Sequence, residues 1–239
     1  MASHTTLITG ASAGIGRAVA EQLARCDHHV VGIARREVSD FPGEYIQADL
    51  SDASATERVL ADVTSRHGID GLVNNVGIVR PAPLEDVTLE DLRAVYDVNV
   101  RVALQCTQQV VAGMRARRYG RIVNVCSLVT SGVPHRTSYA AAKSALVSCT
   151  QSWSLELARD GVTVNAVSPG PTATEMFNRN NPPGSDGYKR YTEMVPMKRV
   201  APPEEVASVI CFFLSEAASF VTGQNIYVDG GASVGPSPE

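Results

Sequence analysis

Residues 5–16 read TTLITGASAGIG, a short β-branched run followed by a glycine-rich turn. The run predicts a buried strand, and the residues after the turn predict the start of a helix. Gly10, Gly14 and Gly16 permit a tight turn and a close approach of the backbone to a phosphate, and a helix N-terminus offers free N–H groups there. The spacing G-x3-G-x-G departs from G-x-G-x-x-G, so the stretch predicts a phosphate-binding turn without fixing an activity.

Strand-like and helix-like segments alternate along the rest of the chain. Seven predicted strands read TTLIT, HVVGIA, YIQA, GLVNN, RIVNVCS, VTVNAVS and NIYVD, and helices are predicted near residues 15–26, 54–66, 89–117, 138–159 and 203–215. This alternation predicts an α/β fold of the Rossmann type, a doubly wound seven-stranded parallel sheet with helices on both faces. No linker or internal repeat divides the chain, so residues 1–239 are expected to form a single domain.

Local signals mark several helix ends. Ser54 followed three residues later by Glu57 predicts a capping box, Pro202 and Pro203 can begin a helix, and Gly161 can end one. Residues 171–200 are polar, rich in Pro and Gly, and long for a connection in a compact domain. Because they follow a strand at the edge where open α/β sheets bind ligands, a lid is favoured over a disordered loop.

The composition excludes several kinds of function. A formal net charge of −4 gives no electrostatic reason to bind nucleic acid or an anionic membrane, so a small-molecule partner is favoured. The N-terminus lacks a leader pattern, and the longest nearly apolar run, VASVICFFL, is about half a membrane span. Five widely spaced cysteines predict buried small hydrophobes in a reducing compartment, and hence a cytoplasmic protein. Five scattered histidines lack metal-ligand spacing, so no metal is expected.

The run SYAAAKSAL, residues 138–146, places Tyr139 and Lys143 four residues apart with only alanines between them. Alanine favours helix, and residues four apart lie on one helix face. An ammonium about 4 Å from a phenol supplies roughly 4 kcal/mol at an effective dielectric of about 20, enough to lower the phenol pKa by about two to three units. Tyr139 is therefore a candidate general acid/base. A packed ring and a solvated lysine are the alternative from these residues by themselves.

The second predicted strand ends in VVGIARR, with Arg35 and Arg36 after Ala34. Proteins of this fold that bind NAD commonly place a carboxylate there for the ribose hydroxyls, whereas arginine accommodates the 2′-phosphate of NADP. The two guanidiniums and the lack of an acid at the strand end favour NADP(H) over NAD(H). Glu37 and Asp40 could neutralise the arginines in part, and two solvated arginines in a loop are the alternative.

Taken in order, the motifs resemble those of the short-chain dehydrogenase/reductase family over nearly the whole chain. They are TGASAGIG, NNVG at 74–77, DVNV around Asn99, IVNVCS ending at Ser127, YAAAK at 139–143, VNAVSPGPTAT at 164–174 and GQNIYVDGG at 223–231. Each is weak by itself, but their order and spacing are specific. The resemblance implies an oxidoreductase in which a nicotinamide supplies the hydride and the protein supplies orientation and a proton.

The resemblance also implies roles for four catalytic residues. Tyr139 would donate the proton in reduction, Lys143 would lower the pKa of Tyr139 and bond the nicotinamide ribose, and Ser127 would bond the substrate carbonyl. Asn99 would break its helix ladder and hold a water that connects Lys143 to solvent.

Other positions match the family's cofactor contacts. Besides Tyr139, Lys143, Arg35 and Arg36, they are Gly10, Ser12, Gly14, Ile15, Gly16, Asp49, Leu50, Asn75, Gly77, Pro169, Gly170, Thr172 and Thr174. Asp49 would accept the adenine amino group, and the segment 169–174 would meet the nicotinamide carboxamide. Ala13 stands where many NADP-preferring relatives carry a basic residue, so the expected preference rests on Arg35 and Arg36.

The substrate is less defined than the reaction. The general resemblance is to 3-oxoacyl thioester reductases of fatty-acid synthesis, but relatives with the same motifs reduce steroids, sugars, quinones or other ketones. An acidic carrier protein would want a basic surface, for which the candidate residues are Arg115, Arg117, Arg118 and Arg121, although the helix dipole also favours cations there. An NAD-dependent alcohol or polyol dehydrogenase and a non-catalytic nucleotide sensor are the alternatives. Relatives are mostly homotetramers, so a homotetramer is expected.

Overall fold

The computed structural model describes residues 4–235, which include one seven-stranded sheet. The strands are β1 (Thr5–Thr9), β2 (His29–Ala34), β3 (Glu44–Gln47), β4 (Gly71–Asn74), β5 (Gly120–Val125), β6 (Val162–Pro169) and β7 (Asn225–Val228). All neighbours pair in parallel, in the order β3-β2-β1-β4-β5-β6-β7. The predicted doubly wound parallel sheet is confirmed. Its strand order reverses at the β1–β4 pair, the place where such sheets bind ligands.

Helices cover both faces of this sheet. Their bounds are α1 (Gly14–Ala24), α2 (Ala53–Arg66), α3 (Leu89–Tyr96), α4 (Val102–Arg117), α5 (Thr137–Leu157), α6 (Glu175–Asn180), α7 (Asp186–Met194) and α8 (Pro203–Leu214). The helix predicted over 89–117 is continuous but irregular, because one π-helical turn, Asp97–Arg101, joins α3 to α4. The other predicted helices are present, whereas α6 and α7 were not predicted.

Apolar residues fill both faces of the sheet because successive strand residues point to opposite sides. In β1, Leu7 packs into the layer that contains residues of α2 and α4, whereas its neighbour Ile8 packs into the layer of α1 and α8. Leu72 and Val73 divide in the same way in β4. All four side chains are fully buried. The close packing on both faces holds the strand ends in fixed positions relative to one another.

One helix end differs from its predicted signal. The N-cap of α2 is Asp52, whose carboxylate accepts from Ala55 N at 2.9 Å, and Ser54 lies inside the helix. The capping box of Ser54 and Glu57 is therefore wrong, because Asp52 has the extended backbone that an N-cap requires. Pro202 and Pro203 do begin α8, and Gly161 caps the short 3-10 turn after α5 with φ of 76°.

Residues 171–200, called the lid below, contain helices α6 and α7. Phe177 of α6 makes edge contacts with Tyr188 and Tyr191 of α7, at ring-centroid distances of 6.0 and 5.3 Å. The two ends of the lid are tied together, since Ala201 N donates to Pro171 O at 3.0 Å. These contacts give the segment its own small aromatic cluster and a closed base, as in compact surface loops.

Across residues 4–235, no helix is both long and apolar enough to cross a bilayer. The five cysteines are free thiols, of which Cys106 and Cys126 are buried and Cys149 and Cys211 are partly buried. Cys26 is exposed, so the prediction that all five are buried is wrong at this position. It lies two residues after the last residue of α1.

Candidate active site

The predicted site residues gather at the carboxyl ends of the central strands. Gly10 follows β1, Asn75 and Gly77 follow β4, Ser127 follows β5, and Gly170 follows β6. Because these strands are parallel, their carboxyl ends meet at one edge of the sheet. Residues far apart in sequence are thereby brought to one cleft.

The turn between β1 and α1 contains three glycines at positions where a side chain would be strained or would clash. Gly10 and Gly14 have φ of 67° and 57°, a region that favours glycine. A Cβ at Gly16 would lie 2.6 Å from Asn75 Nδ2. The Asn75 amide donates to Thr9 O at 3.0 Å and to Gly10 O at 3.1 Å, so it fixes the turn from β4.

The N-terminus of α1 is open to an anion. Ala13 occupies the N-cap without a side-chain hydrogen bond, and the first turn of the helix has no acidic residue. Ser12 and Ile15 flank this position. Free N–H groups, a partial positive charge and close-packed glycines fit the pyrophosphate of a dinucleotide. The residues present therefore suit the expected cofactor.

The segment after β6 closes over this turn. A Cβ at Gly14 would lie 3.0 Å from Thr174 Cγ2, which places Thr174 directly against the glycine-rich turn. Pro169 ends β6, and Gly170 N donates to Val228 O at 3.0 Å. Buried Thr172 donates from Oγ1 to Gly170 O at 3.0 Å, so its hydroxyl stabilises the loop itself. The structure brings the predicted cofactor residues of 169–174 beside those of the first turn.

Two side chains of β3 hold the arginine pair after β2. Tyr45 donates from its hydroxyl to Arg36 O, and Gln47 Nε2 donates to Arg35 O at 3.0 Å. Sequence reasoning missed both, since the only signal was their position on the neighbouring strand. Asp49 follows β3 and accepts from Ser51 N at 2.9 Å, and this backbone hydrogen bond lowers the pKa of its carboxyl. Leu50 beside it is buried.

The two arginines differ in their partners. Arg36 Nη1 lies 2.7 Å from Glu175 Oε2, at the start of α6. Within the described part of the chain, Arg35 has no ion pair at contact distance. The expectation that Asp40 offsets these arginines is wrong, because Asp40 pairs with Arg17 at 3.1 Å. The neutralising acid comes instead from the lid.

Tyr139 and Lys143 lie one turn apart on α5, as predicted. Lys143 is only 2% exposed, and its Nζ donates to Val125 O at 2.7 Å. The same Nζ lies 5.7 Å from the centroid of the Tyr139 ring. The solvated-lysine alternative is therefore wrong, because the ammonium is buried between the end of β5 and the tyrosine.

The ionisation of this pair differs from expectation. Burial raises the pKa of Tyr139 to about 12, although hydrogen bonding with Ser127 acts in the opposite direction. Burial also lowers the pKa of Lys143 to about 8. The lysine bonds a backbone carbonyl and faces the ring, so it does not bring the pKa of Tyr139 toward neutrality here. At neutral pH the site holds a protonated phenol, which is the form that donates a proton.

Asn99 lies at the centre of the π-helical turn. Its Nδ2 donates to Ile78 O at 3.0 Å and to Val95 O at 2.8 Å, while its buried Oδ1 has no partner in the described residues. A Cβ at Gly77 would lie 2.5 Å from that Oδ1 and 3.6 Å from Lys143 Nζ. The space beside Gly77 is thus flanked by an unpaired acceptor and a cation, a suitable position for a water.

Ser127 follows β5 in an extended conformation and caps a short 3-10 turn. Its Oγ accepts from Val129 N at 3.3 Å, and its carbonyl accepts from Thr130 Oγ1 at 3.0 Å. Thr130 Oγ1 also lies 3.1 Å from the Tyr227 hydroxyl of β7. The Ser127 hydroxyl also hydrogen-bonds with Tyr139, so both hydroxyls face the same part of the cleft.

One group outside this cleft has donor atoms close enough for a metal. His29, Glu44 and His67 place one nitrogen or oxygen each within 4.8 Å of one another. However, Arg66 Nη1 lies 2.6 Å from Glu44 Oε1 and 3.3 Å from His67 Nε2. A guanidinium already supplies the positive charge that a metal would bring, so the absence of a metal stays our prediction.

The proposed basic docking residues are largely engaged within the chain. Arg115 pairs with Asp160 at 2.8 Å, and Arg117 pairs with Asp70 at 3.2 Å. Buried Arg121 lies 3.5 Å from Glu216, and Arg118 donates to Arg159 O at 2.9 Å. The three ion pairs reduce the positive charge that the cluster can present to an acidic carrier protein, whereas the bond of Arg118 to a carbonyl leaves its charge unpaired in the part of the chain that the structure describes.

Comparison with known proteins relates the whole chain to one family. A family model described as enoyl-(acyl carrier protein) reductase matches residues 10–233. The 3-oxoacyl-[acyl-carrier-protein] reductase of Thermotoga maritima is 38% identical over 239 residues, which cover 94% of this chain and 96% of its own. A solved structure of a short-chain dehydrogenase/reductase family protein is 34% identical, with a TM-score of 0.87 and 97% of both chains covered.

A further similar structure contains a cofactor. The 3-oxoacyl (acyl-carrier-protein) reductase of Agrobacterium tumefaciens, with NADP bound, is 30% identical. It superposes with a TM-score of 0.89, covering 95% of this chain and 93% of the other.

Proposed function

This chain belongs to the short-chain dehydrogenase/reductase family of oxidoreductases, and from that membership we propose that it transfers hydride between NADP(H) and a ketone or secondary alcohol. The observation that carries the proposal is the convergence of Ser127, Tyr139 and Lys143 at the end of β5, with Asn99 beside Lys143 across the space at Gly77. A non-catalytic nucleotide sensor is disfavoured, because such a protein has no use for a complete acid/base set.

Each of these residues has a distinct part in the proposed mechanism. A bound nicotinamide supplies or accepts the hydride. Ser127 and Tyr139 hold the substrate oxygen, and Tyr139 gives its proton to that oxygen as the carbonyl is reduced. Lys143, positively charged below its pKa of about 8, would bond the nicotinamide ribose and supply a proton toward the phenolate that remains. A water between Asn99 Oδ1 and Lys143 Nζ returns a proton from solvent.

Support for NADP(H) comes from Arg35, Arg36 and the relatives. The two guanidiniums follow β2, and Arg35 is without an ion pair among the described residues. The similar Agrobacterium tumefaciens reductase carries NADP. A 2′-phosphate gains charge-assisted hydrogen bonds from such arginines.

A 3-oxoacyl thioester is the first substrate class to test, because the names of two of the similar proteins specify 3-oxoacyl carrier-protein reduction. Arg115 and Arg117 are paired with acids of the same chain, so they are less available to bind an acidic carrier protein. Small thioesters and ketones should therefore be tested in addition to carrier-bound acyl chains. The alternative is an NAD-dependent alcohol or polyol dehydrogenase. It is favoured by the pairing of Arg36 with Glu175, which leaves one arginine fewer for a phosphate.

We further propose that residues 1–239 form one domain that assembles as a homotetramer in the cytoplasm. The strands from Thr5 to Val228 join one sheet, which supports a single domain. Exposed apolar residues on α5, α8 and β7, namely Leu155, Phe212 and Ile226, support an interface there. Free cysteines are consistent with a reducing compartment.

The test begins with titration of the purified protein with NADPH and, separately, NADH, followed by nicotinamide emission. Tighter NADPH binding and NADPH consumption with 3-oxoacyl thioesters or ketones are expected. Tyr139→Phe should lower turnover by about 10²- to 10⁴-fold with unchanged NADPH affinity, while Tyr96→Phe, at an exposed tyrosine, should retain turnover. Full activity of Tyr139→Phe would contradict the mechanism, and tighter NADH binding would favour the alternative dehydrogenase.

A further inference from the structure

The ion pair of Arg36 with Glu175 joins the loop after β2 to the first residue of α6, within the lid. Arg36 Nη1 and Glu175 Oε2 are 2.7 Å apart, and the two residues are 139 positions apart in sequence. Their side chains are 48% and 47% exposed, so solvent and ligands can reach both. The pair therefore lies at the surface, in the segment after β2 to which the proposed function assigns the 2′-phosphate.

Both ends of this pair are held by the site. Tyr45 fixes the backbone of Arg36, and Thr174, the residue before Glu175, packs against Gly14 in the glycine-rich turn. The backbone that carries the Glu175 carboxylate is thus positioned by the same loop that packs on the glycine-rich turn.

Glu175 has a second cation available. Its Oε1 lies 2.7 Å from Arg179 Nη2, one turn further along α6. If an incoming phosphate takes Arg36, Glu175 keeps Arg179 and is not left as an unpaired charge. The loss of the Arg36 contact should therefore cost Glu175 little free energy, as is usual for an exposed ion pair.

From these contacts, and on the premise of the proposed function, we infer that Glu175 is a cofactor-specificity residue that competes with the 2′-phosphate of NADP(H) for Arg36. NAD(H) has no such phosphate, so its binding leaves the pair intact. The carboxylate substitutes for the missing phosphate in the NAD(H) complex and lowers the preference of the protein for NADP(H).

The experiment compares dissociation constants of NADPH and NADH for the wild-type protein and for Glu175→Gln, at low ionic strength and in the absence of substrate. Removal of the competing carboxylate should tighten NADPH by about three- to fivefold and change NADH by less than about twofold, as for an exposed ion pair. Glu37→Gln is the matched control, because Glu37 is an exposed acid next to Arg36 that has no ion pair in the described residues. It should change NADPH affinity by less than about twofold.

A double-mutant cycle with Arg36→Gln separates specific competition from general charge effects. In the Arg36→Gln background, Glu175→Gln should no longer tighten NADPH more than the control does. An unchanged NADPH to NADH ratio in Glu175→Gln, or an effect that persists without Arg36, overturns the inference. Failure of the wild type to bind either nucleotide would instead overturn the proposed function.

Discussion

Lys143 of α5 donates a 2.7 Å hydrogen bond from Nζ to the carbonyl oxygen of Val125 in β5. The ammonium is buried at the strand end, and its burial lowers the pKa of Lys143 to about 8 from an ordinary value of 10.5. Between these two pH values the unfolded chain binds more protons at this residue than the folded chain does. The free energy of unfolding contributed by Lys143 therefore rises with pH over that interval.

Lys143→Met should remove this contribution. Between pH 8 and 10, the free energy of unfolding of the wild type should rise relative to that of the variant, by up to about 1 kcal/mol per pH unit. Urea unfolding at a series of pH values measures the difference. Lys189→Met, at an exposed lysine, should run parallel to the wild type. Parallel curves for Lys143→Met would show that Lys143 titrates normally in the folded protein.

Tyr139 should remain protonated across the neutral and moderately alkaline range. Its pKa is raised to about 12 by burial, so the difference in phenolate absorbance between the wild type and Tyr139→Phe should be flat up to about pH 10. Because hydrogen bonding with Ser127 lowers the pKa, Ser127→Ala should move the ionisation to still higher pH. Stopped-flow pH jumps record both before unfolding. A phenolate signal below pH 9 would mean that the tyrosine is activated without any cofactor.

Gly77→Ala should damage the site through Asn99. The added methyl group would lie 2.5 Å from the buried Asn99 Oδ1, so we expect a loss of about 1–3 kcal/mol in the free energy of unfolding. Gly68→Ala is the control, since its new carbon meets only the flexible end of Arg117 at 3.3 Å. Equal stability of the two variants, measured by denaturant unfolding, would indicate that the space beside Gly77 can expand freely.

Arg35→Asp should shift cofactor preference toward NADH. Arg35 is the arginine after β2 that no acid neutralises at contact distance in the described chain, so the variant loses an attraction for the 2′-phosphate and gains a repulsion. We expect NADPH affinity to fall by at least about tenfold, with NADH affected much less. Arg58→Asp makes the same charge change on the exposed face of α2 and should leave the ratio unchanged. If the ratio does not move in Arg35→Asp, another group binds the phosphate.

The sheet and its strand ends could be predicted because their signals are local. Runs such as VTVNAVS are rich in β-branched residues, and the structure places a fully buried strand there. Asp52 was missed as an N-cap because Ser54 offered an equally good local pattern two residues later. The helices of the lid were missed because they are short and separated by Pro182, Pro183 and Gly184, whereas contacts of Phe177 with two tyrosines stabilise them.

In the site, too, features that depend on local sequence could be predicted and features that depend on distant contacts could not. YAAAK placed Tyr139 and Lys143 on one helix face, because that relationship depends on helix geometry within one turn. The ionisation of the pair could not be inferred from spacing, since burial at the end of β5 determines it. The pairing of Glu175 with Arg36 joins residues 139 positions apart, and no local pattern reports such a contact.

The π-helical turn at Asp97–Arg101 contains one residue more than an ordinary helix turn would hold. One extra residue rotates every later side chain of the helix by about 100°. Val102, Cys106, Val110 and Met114 all point into the core behind that turn, so they depend on the extra residue for their direction. Deleting a single residue here would give a more regular helix, yet it would rotate the apolar stripe of α4 by about 100° relative to the residues before the turn. The same π-helical turn therefore determines both the direction of the core residues of α4 and the position of Asn99.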